Sequence, residues 1–244
     1  MKITTWNCNG ALRKKFGALE KLQSDIYLVQ ECENPVLTKN SKYQEWSNNH
    51  LWIGDNTNKG IGIFGRTEID LVQLDWSNTY KDHTVKYFLP CRVNDQFNLI
   101  NVWAHRNNSP NFGYIGQLWK YLQTNRDKFN NLILTEDLNS NTIWDQWDRW
   151  WNHSDIVIEL SELGIESLYH QFFDEEQGQE SQPTFYLQRK LEKPYHIDYA
   201  FASESIAERL VKIEIGSVSK WLEVSDHLPL TFELSQTSKH SISE

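Results

Sequence analysis

Short apolar runs recur along the chain, and polar side chains end many of them. Asn7 follows ITTW, Glu31 follows IYLVQ, His105 follows LINVWA and Asp137 follows LILTE. Asp198 follows HI, and Asp226 with His227 precedes LPLTF. Runs of this length read as buried strands. The pattern predicts a strand over 2–6, a helix over 11–23 with Leu12, Phe16, Leu19 and Leu22 on one face, and a strand over 25–31. That is β-α-β. Strands over 51–54, 60–65, 69–75, 83–89 and 97–104 follow without room for helices, which predicts antiparallel pairing. A helix over 113–124, a strand over 131–135 and helices over 143–150 and 154–163 come next. PTFYLQ and HIDYAFA read as paired strands, followed by a short helix near 204–210 and strands over 211–216 and 229–234. Mixed strands with helices on both sides predict a two-sheet α/β sandwich.

The predicted strands run without a Pro/Gly/Ser-rich break, so residues 1–235 read as one domain and the polar, aperiodic 236–244 as a disordered tail. Eleven Trp within 13% aromatics supply a substantial core. The net charge of −9 argues against coating nucleic acid through many phosphate contacts. It leaves room for an acidic site that takes its phosphate through a metal. Basic residues cluster at Arg13, Lys14 and Lys15 and at Arg189 and Lys190, as a solvated rim or as substrate contacts. Cys8, Cys32 and Cys91 are too few for a disulfide framework and lack a CxxC, and alternation turns Cys8 and Cys32 toward the core. The N-terminus has no apolar leader and no run reaches membrane-spanning length, so a cytoplasmic protein is expected.

If the strand ends meet at one sheet edge, they gather Asp, Glu, Asn and His with almost no Ser or Cys nucleophile. Such oxygen-rich donors suit a hard divalent cation. Asp137 and Asn139, two apart in TEDLNSN, read either as a water-orienting carboxylate with a phosphate-binding amide or as an Asx turn. Ser225-Asp226-His227 places a carboxylate and an imidazole just before a buried strand. There His227 is expected to matter for turnover and little for stability. Alternation puts His196 and Asp198 on one face of HIDYAFA, where a charge is costly unless paired.

Taken in order, TWNCNG (5–10), QE (30–31), AHR (104–106), EDLNSN (136–141), HIDYAFAS (196–203) and SDHLPL (225–230) resemble the motifs of the endonuclease/exonuclease/phosphatase superfamily. The resemblance spans nearly the whole chain and includes exonuclease III-like and DNase I-like nucleases and inositol polyphosphate phosphatases. It implies a four-layer α/β sandwich and Mg²⁺- or Mn²⁺-dependent hydrolysis of a phosphoester. Carried over by position, Glu31 is the main metal ligand, with Asn7 and Asp226 in support. Asp137 activates the attacking water, Asn139 and His105 stabilise phosphate charge, and His227 transfers a proton or contacts phosphate, oriented by Asp198. Asn9, Arg13, Arg106 and His196 are the substrate-binding candidates; Asn9 stands where related nucleases often have Asp, and His196 where many have Arg.

One residue departs from the motif. Glu136 replaces the usual Gly of Gly-Asp-x-Asn. Its side chain either points into packed interior or reaches the site and repels phosphate. The resulting expectation is a metal-dependent phosphodiesterase acting on nucleic acid. The alternatives are a phosphatase of a small phosphorylated metabolite or nucleotide, and a silent binding module motivated by Glu136. The aromatic segments IWDQWDRWW (143–151) and PTFYLQRK (183–190) offer faces for stacking bases, although packing on the sandwich is the expectation for most of these rings.

Overall fold

The structure, a computed structural model, describes residues 1–107 and 112–235. The expected tail, 236–244, lies outside the described residues. In chain order the first half holds β1 (Lys2–Asn7), α1 (Phe16–Glu20), β2 (Ile26–Cys32), α2 (Ser41–Trp46), β3 (His50–Asn56) and β4 (Lys59–Gly65). β5 (Leu71–Gln73), β6 (Thr79–Tyr80), β7 (His83–Thr84), β8 (Phe88–Val93), β9 (Phe97–Trp103) and α3 (Ile115–Asn125) follow. Then come β10 (Leu132–Asp137), α4 (His153–Ser161), β11 (Ile165–Ser167), α5 (Leu168–Phe173), β12 (Phe185–Tyr186) and β13 (Pro194–Tyr195). β14 (Asp198–Ser203), α6 (Glu204–Ala207), β15 (Leu210–Ile215), α7 (Val218–Trp221) and β16 (Leu230–Leu234) complete the described chain.

Two six-stranded mixed sheets form the centre, with orders β15-β16-β1-β2-β4-β3 and β11-β14-β10-β9-β8-β5. β1 and β2 are parallel, as β-α-β requires, and β3–β4 and β8–β9 are antiparallel, as their short connections predict. Ile3, Ile26, Leu28 and Ile63 of the first sheet face Leu99, Trp103, Ile133 and Ala200 of the second in a dry inter-sheet core. The outer face of the second sheet packs Ile100, Leu134 and Tyr199 under Leu118 and Leu122 of α3 and Ile156 and Leu160 of α4. That of the first sheet packs Trp6, Val29 and Phe64 against Leu12, Leu19, Tyr43 and Trp221. Each such large side chain contributes about 1.5–3 kcal/mol on burial. The result is the expected helix–sheet–sheet–helix sandwich. Among the described residues no helix is long and apolar enough to cross a membrane.

Several local expectations give way. The helix over 11–23 is a 3₁₀ turn at Leu12–Lys14 and the short α1, parted by Lys15 at φ −122°, ψ −14°; the Leu12 and Arg13 amides donate to the Glu33 carboxylate, each at 2.8 Å. The strand over 83–89 splits, with Tyr87 at φ 64° between β7 and β8. β12 pairs with β13 rather than with β14, which instead lies between β10 and β11. Of the helix over 143–150 only the 3₁₀ turn Thr142–Trp144 exists. Asn152 and Asp145 side chains bind the backbone beyond it and hold a compact loop.

Candidate active site

Asn7 ends β1 in the first sheet, and Asp137 ends β10 in the second. Both follow the inward-facing alternation set by the core residues before them, Ile3 and Ile133. The Asn7 amide spans the gap between sheets. Its Nδ2 donates to Asp137 Oδ2 at 2.7 Å and to Glu31 Oε1 at 3.3 Å. Its Oδ1 accepts from the Asn9 amide at 2.9 Å, and Asn9 Nδ2 donates to Asp226 Oδ1 at 2.8 Å. Five predicted residues thus form one hydrogen-bonded line.

Asp137 faces His227, whose Nε2 lies 4.0 Å from Asp137 Oδ2. On the other side His227 Nδ1 lies 2.9 and 3.0 Å from the two Asp198 oxygens. All three side chains are buried. Burial alone pulls the imidazolium toward neutrality, but Asp198 and Asp137 outweigh it and hold His227 up at about 9. For Asp137, burial raises the carboxyl most, His227 opposes and Asp198 reinforces, which leaves it up at about 7. The sequence reading of His227 as dispensable for stability is corrected here. It lies buried between two buried carboxylates, and removing it takes the imidazole from Asp198 and leaves Asp137 only its neutral donors, Asn7 and the Asn139 amide.

Glu31 reaches the site through a β-bulge. β2 pairs regularly with β4 to Gln30, then skips to Cys32, leaving Glu31 unpaired at φ 59°. Val29 and Cys32 both pack on the outer face, which a regular strand forbids for residues three apart. The extra residue re-aims the Glu31 carboxylate toward Asn7. Glu31 Oε2 takes the Lys59 ammonium at 2.8 Å, and that ammonium also lies 5.1 Å from the centre of the Trp103 ring. His105 stands beside Trp103, with ring centres 4.8 Å apart, and its Nδ1 accepts from the Asn107 amide at 3.0 Å. Burial, then the nearby Lys59, lower the His105 pKa, so this ring is neutral at physiological pH.

Asn139 closes an Asx turn: its amide donates to Asp137 Oδ1 at 3.1 Å, its φ is 48°, and its Nδ2 donates to the Ala104 carbonyl at 3.4 Å. The turn holds Asn139 between Asp137 and the segment leading to His105. Arg106 is exposed and lines a cleft with Asn139. Two substrate-binding candidates lie elsewhere. Arg13 pairs with Glu33 at 3.1 Å and lines a separate cleft. His196 is buried, bonded through Nδ1 to the Gln182 carbonyl and packed on Tyr169 at 4.5 Å, so it supports the loop rather than meeting solvent. Glu136 is fully buried on the outer face, between Val102 and Tyr199 of the neighbouring strands. Its carboxylate points away from Asp137, which decides between the two orientations open to sequence.

Sequence reasoning missed the supports. Lys59 gave no motif signal. Ser225 Oγ donates to the Asn7 carbonyl and accepts from the His227 amide. Thr184 Oγ1 accepts from the Ile197 and Asp198 amides, each at 3.0 Å. Phe185 packs on His227 with ring centres 4.6 Å apart.

No protein-family model and no curated protein matches the sequence. Solved structures do match the fold. A 3'-5' exonuclease from Neisseria meningitidis superposes with a TM-score of 0.72 at 23% identity, covering 97% of this chain and 100% of that one. An AP endonuclease from Archaeoglobus fulgidus gives 0.69 at 20% identity, covering 97% and 100%. The endonuclease domain of TRAS1, a telomere-specific non-LTR retrotransposon, gives 0.61 at 18% identity, covering 97% and 99%. At these identities the likeness lies in architecture, and it extends over almost the full length of each partner. Two mixed sheets packed face to face between helices are the architecture this chain shares with those solved structures.

Proposed function

We propose that this chain is a divalent-metal-dependent phosphodiesterase that hydrolyses nucleic acid, with Mg²⁺ or Mn²⁺ as its cofactor. The observation that carries the reading is the line Asp198–His227–Asp137–Asn7–Glu31, built across two sheets at one edge of the sandwich.

The donor chemistry fits a hard cation. Among the described residues the tightest group of potential ligands is Asp137, Asp198 and His227, with ligand atoms within 4.8 Å of one another. His227 is bonded there to Asp198 through Nδ1 and lies 4.0 Å from Asp137, so the imidazole itself answers these carboxylates. Glu31, Asn7 and Asp226 are the better ligands. Glu31 and Asp226 offer carboxylate oxygens, and a cationic group, the Lys59 ammonium, already sits on Glu31; Asn7, whose Nδ2 faces Glu31, would join them through Oδ1 once its amide turns over. A bound metal would supply charge neutralisation to the phosphate and polarise its oxygens.

Asp137, raised to about 7, takes the proton from the attacking water. The water oxygen bonds to phosphorus, and the bond to the leaving oxygen breaks. His227 carries its proton at Nε2 toward the same space and donates to phosphate or leaving group, while Asp198 fixes the ring through Nδ1. Asn139 and neutral His105 donate to phosphate oxygens. The buried, outward-facing Glu136 leaves this donor set intact, which removes the motive for a silent binding module. Hydrolysis of a terminal phosphate is the second reading, favoured by a Neisseria 3' phosphatase bound to product DNA hairpin that superposes with a TM-score of 0.70 at 21% identity. Three buried, unbridged cysteines support a reducing, cytoplasmic setting. A screen of single- and double-stranded DNA, RNA and small phosphoesters with Mg²⁺, Mn²⁺ and EDTA tests the proposal. Metal-dependent cleavage of a nucleic-acid diester is expected, and phosphate release from small monoesters alone would replace it with the second reading.

A further inference from the structure

A second surface adjoins the catalytic edge. Beyond Asn139, Arg106, Tyr114, Trp144, Arg149 and Trp151 line a cleft of about 310 Å³. The chain that walls it carries the largest exposed aromatic surface of the described residues: Trp147 is 98% exposed, Trp150 64% and Trp144 44%. Apolar indoles on a soluble surface ordinarily pack inward.

These rings sit on a loop that is tied down. Asn152 Oδ1 accepts from the Gln146 amide at 2.9 Å, and its Nδ2 donates to the Gln146 and Arg149 carbonyls at 3.0 and 3.1 Å. The Asp145 carboxylate accepts from the His153 and Ser154 amides and the Ser154 hydroxyl, so its charge is spent on the start of α4. Trp151 is buried in the outer core as the anchor. A pinned turn that holds an indole in solvent is a platform already paid for in loop entropy.

The charges beside it complement an anion. Among the described residues neither Arg106 nor Arg149 makes an ion pair, although the whole chain is at −9; Arg149 lies over Trp151, 4.6 Å from the ring centre. Asp148 is the opposing exposed carboxylate on this loop. The cleft is also continuous with the catalytic edge. Asn139 belongs to both, and an aromatic path runs from His227 through Phe185 at 4.6 Å and Tyr195 at 6.5 Å to Trp144 at 5.1 Å.

We infer that this loop is a single-strand clamp: Trp147 and Trp150, with Trp144 nearer the catalytic edge, stack unpaired bases of the strand that continues past the scissile phosphate, while Arg106 and Arg149 hold its phosphates. The inference rests on the nucleic-acid reading above and narrows its substrate to strands with unstacked bases on this side. Indole faces take any base, and guanidinium groups any phosphate, so the clamp selects for strandedness rather than sequence.

The test measures binding of the full chain in EDTA to a single-stranded oligodeoxythymidylate of about twelve nucleotides, the span of a typical single-strand groove. An abasic strand of equal length, a duplex and thymidine monophosphate are the comparisons. The single strand should bind about 5- to 150-fold more tightly than the abasic strand, the worth of one stacked base. Trp147→Ala, a fully exposed position, should retain the parent's melting temperature and lose one stacked base's share of that discrimination, at least about fivefold. Arg149→Ala should weaken all strands alike and lower the salt dependence by about one phosphate contact. Equal binding of the abasic strand overturns the inference. So does a Trp147→Ala protein that discriminates as well as the parent, duplex binding with the same Trp147 dependence, or monophosphate binding as tight as the strand. Hydrolysis is read separately with Mg²⁺. Tight Trp147-dependent binding without cleavage sustains the clamp and sinks the phosphodiesterase.

Discussion

Glu136 is the residue whose replacement should say most about this fold. It is fully buried, both carboxylate oxygens lack a hydrogen-bond partner, and its strand neighbours are Val102 and Tyr199. Burial first, then the charge of Asp137, pushes its pKa well above the ordinary carboxylate value of 4.5. The folded protein therefore binds this proton more tightly than the unfolded chain does. Stability must fall as pH rises above the ordinary carboxylate range, until the folded pKa is reached, by about 1.4 kcal/mol per pH unit. An unpaired buried carboxyl adds about 1–3 kcal/mol even when neutral. Glu136→Met keeps the volume and removes both penalties. It should stabilise the protein near neutral pH by about 2–4 kcal/mol, or about 5–15 °C in melting temperature. Glu136→Gly, the substitution the motif suggests, should gain less, because it opens a void and puts glycine inside a strand. Because the carboxylate faces away from the site, turnover per folded molecule should not rise with either change. Denaturant unfolding of the three proteins at several pH values from 4 to 8 is the assay. A Met variant no more stable than the parent, or a difference that does not widen with pH, refutes the reasoning.

Glu31→Gln should weaken Mg²⁺ binding while the fold survives; calorimetric affinity equal to the parent's would remove Glu31 as the principal ligand. His227→Ala should slow turnover by about 10²–10⁴ at saturating metal and also destabilise the protein at neutral pH by about 3–5 kcal/mol, since it takes the imidazole from between two buried carboxylates. A rate loss under about tenfold contradicts an acid–base role. The rate should follow a bell in pH, rising as the pair loses its first proton at about 7 and falling as it loses the second at about 9. Asp198→Asn should move the alkaline limb to lower pH, and an unmoved limb in stopped-time assays would separate that limb from His227. The same raised imidazolium stabilises the fold below its unfolded value of 6.5, and that contribution should fade as pH passes about 9.

Much of this was legible in the sequence because the site obeys the strand rules. Asn7, Asp137 and Asp198 keep the alternation of the apolar residues beside them, so placing the strands placed their side chains. The supports were not legible, because they are tertiary. Nothing near Lys59 announces a partner for Glu31, and Thr184 serves Asp198 from fourteen residues away. Glu31 itself arrives by a bulge, which alternation cannot foretell. The expected helices break at backbone conformations that periodicity does not reveal: Ala11 at φ 54° and Lys15 at φ −122° flank the turn Leu12–Lys14, and Asp145 at ψ 143° ends the turn Thr142–Trp144. Of the tryptophans in 143–151, Trp151 packs as expected of most of these rings while Trp144, Trp147 and Trp150 are exposed, because composition says how many indoles exist, not which ones a pinned loop holds outside.

The two sheets meet at more than an oily face. Gln30 Nε2 donates to Thr5 at 3.0 Å and to Asn101 on the opposite sheet at 2.7 Å, while Asn101 Nδ2 returns a bond to the Gly62 carbonyl at 2.9 Å. Just beyond this rivet the side chains of the candidate site are divided, Glu31, Asn7 and His227 on one slab, Asp137 and Asp198 on the other. A slip of about 1 Å between slabs is enough to cost about a hundredfold in rate. Substitutions at Gln30 or Asn101, which touch no substrate, would then pass in a kinetic screen for active-site mutants. By the same logic neither slab holds the candidate site alone: its side chains meet only when the sandwich closes.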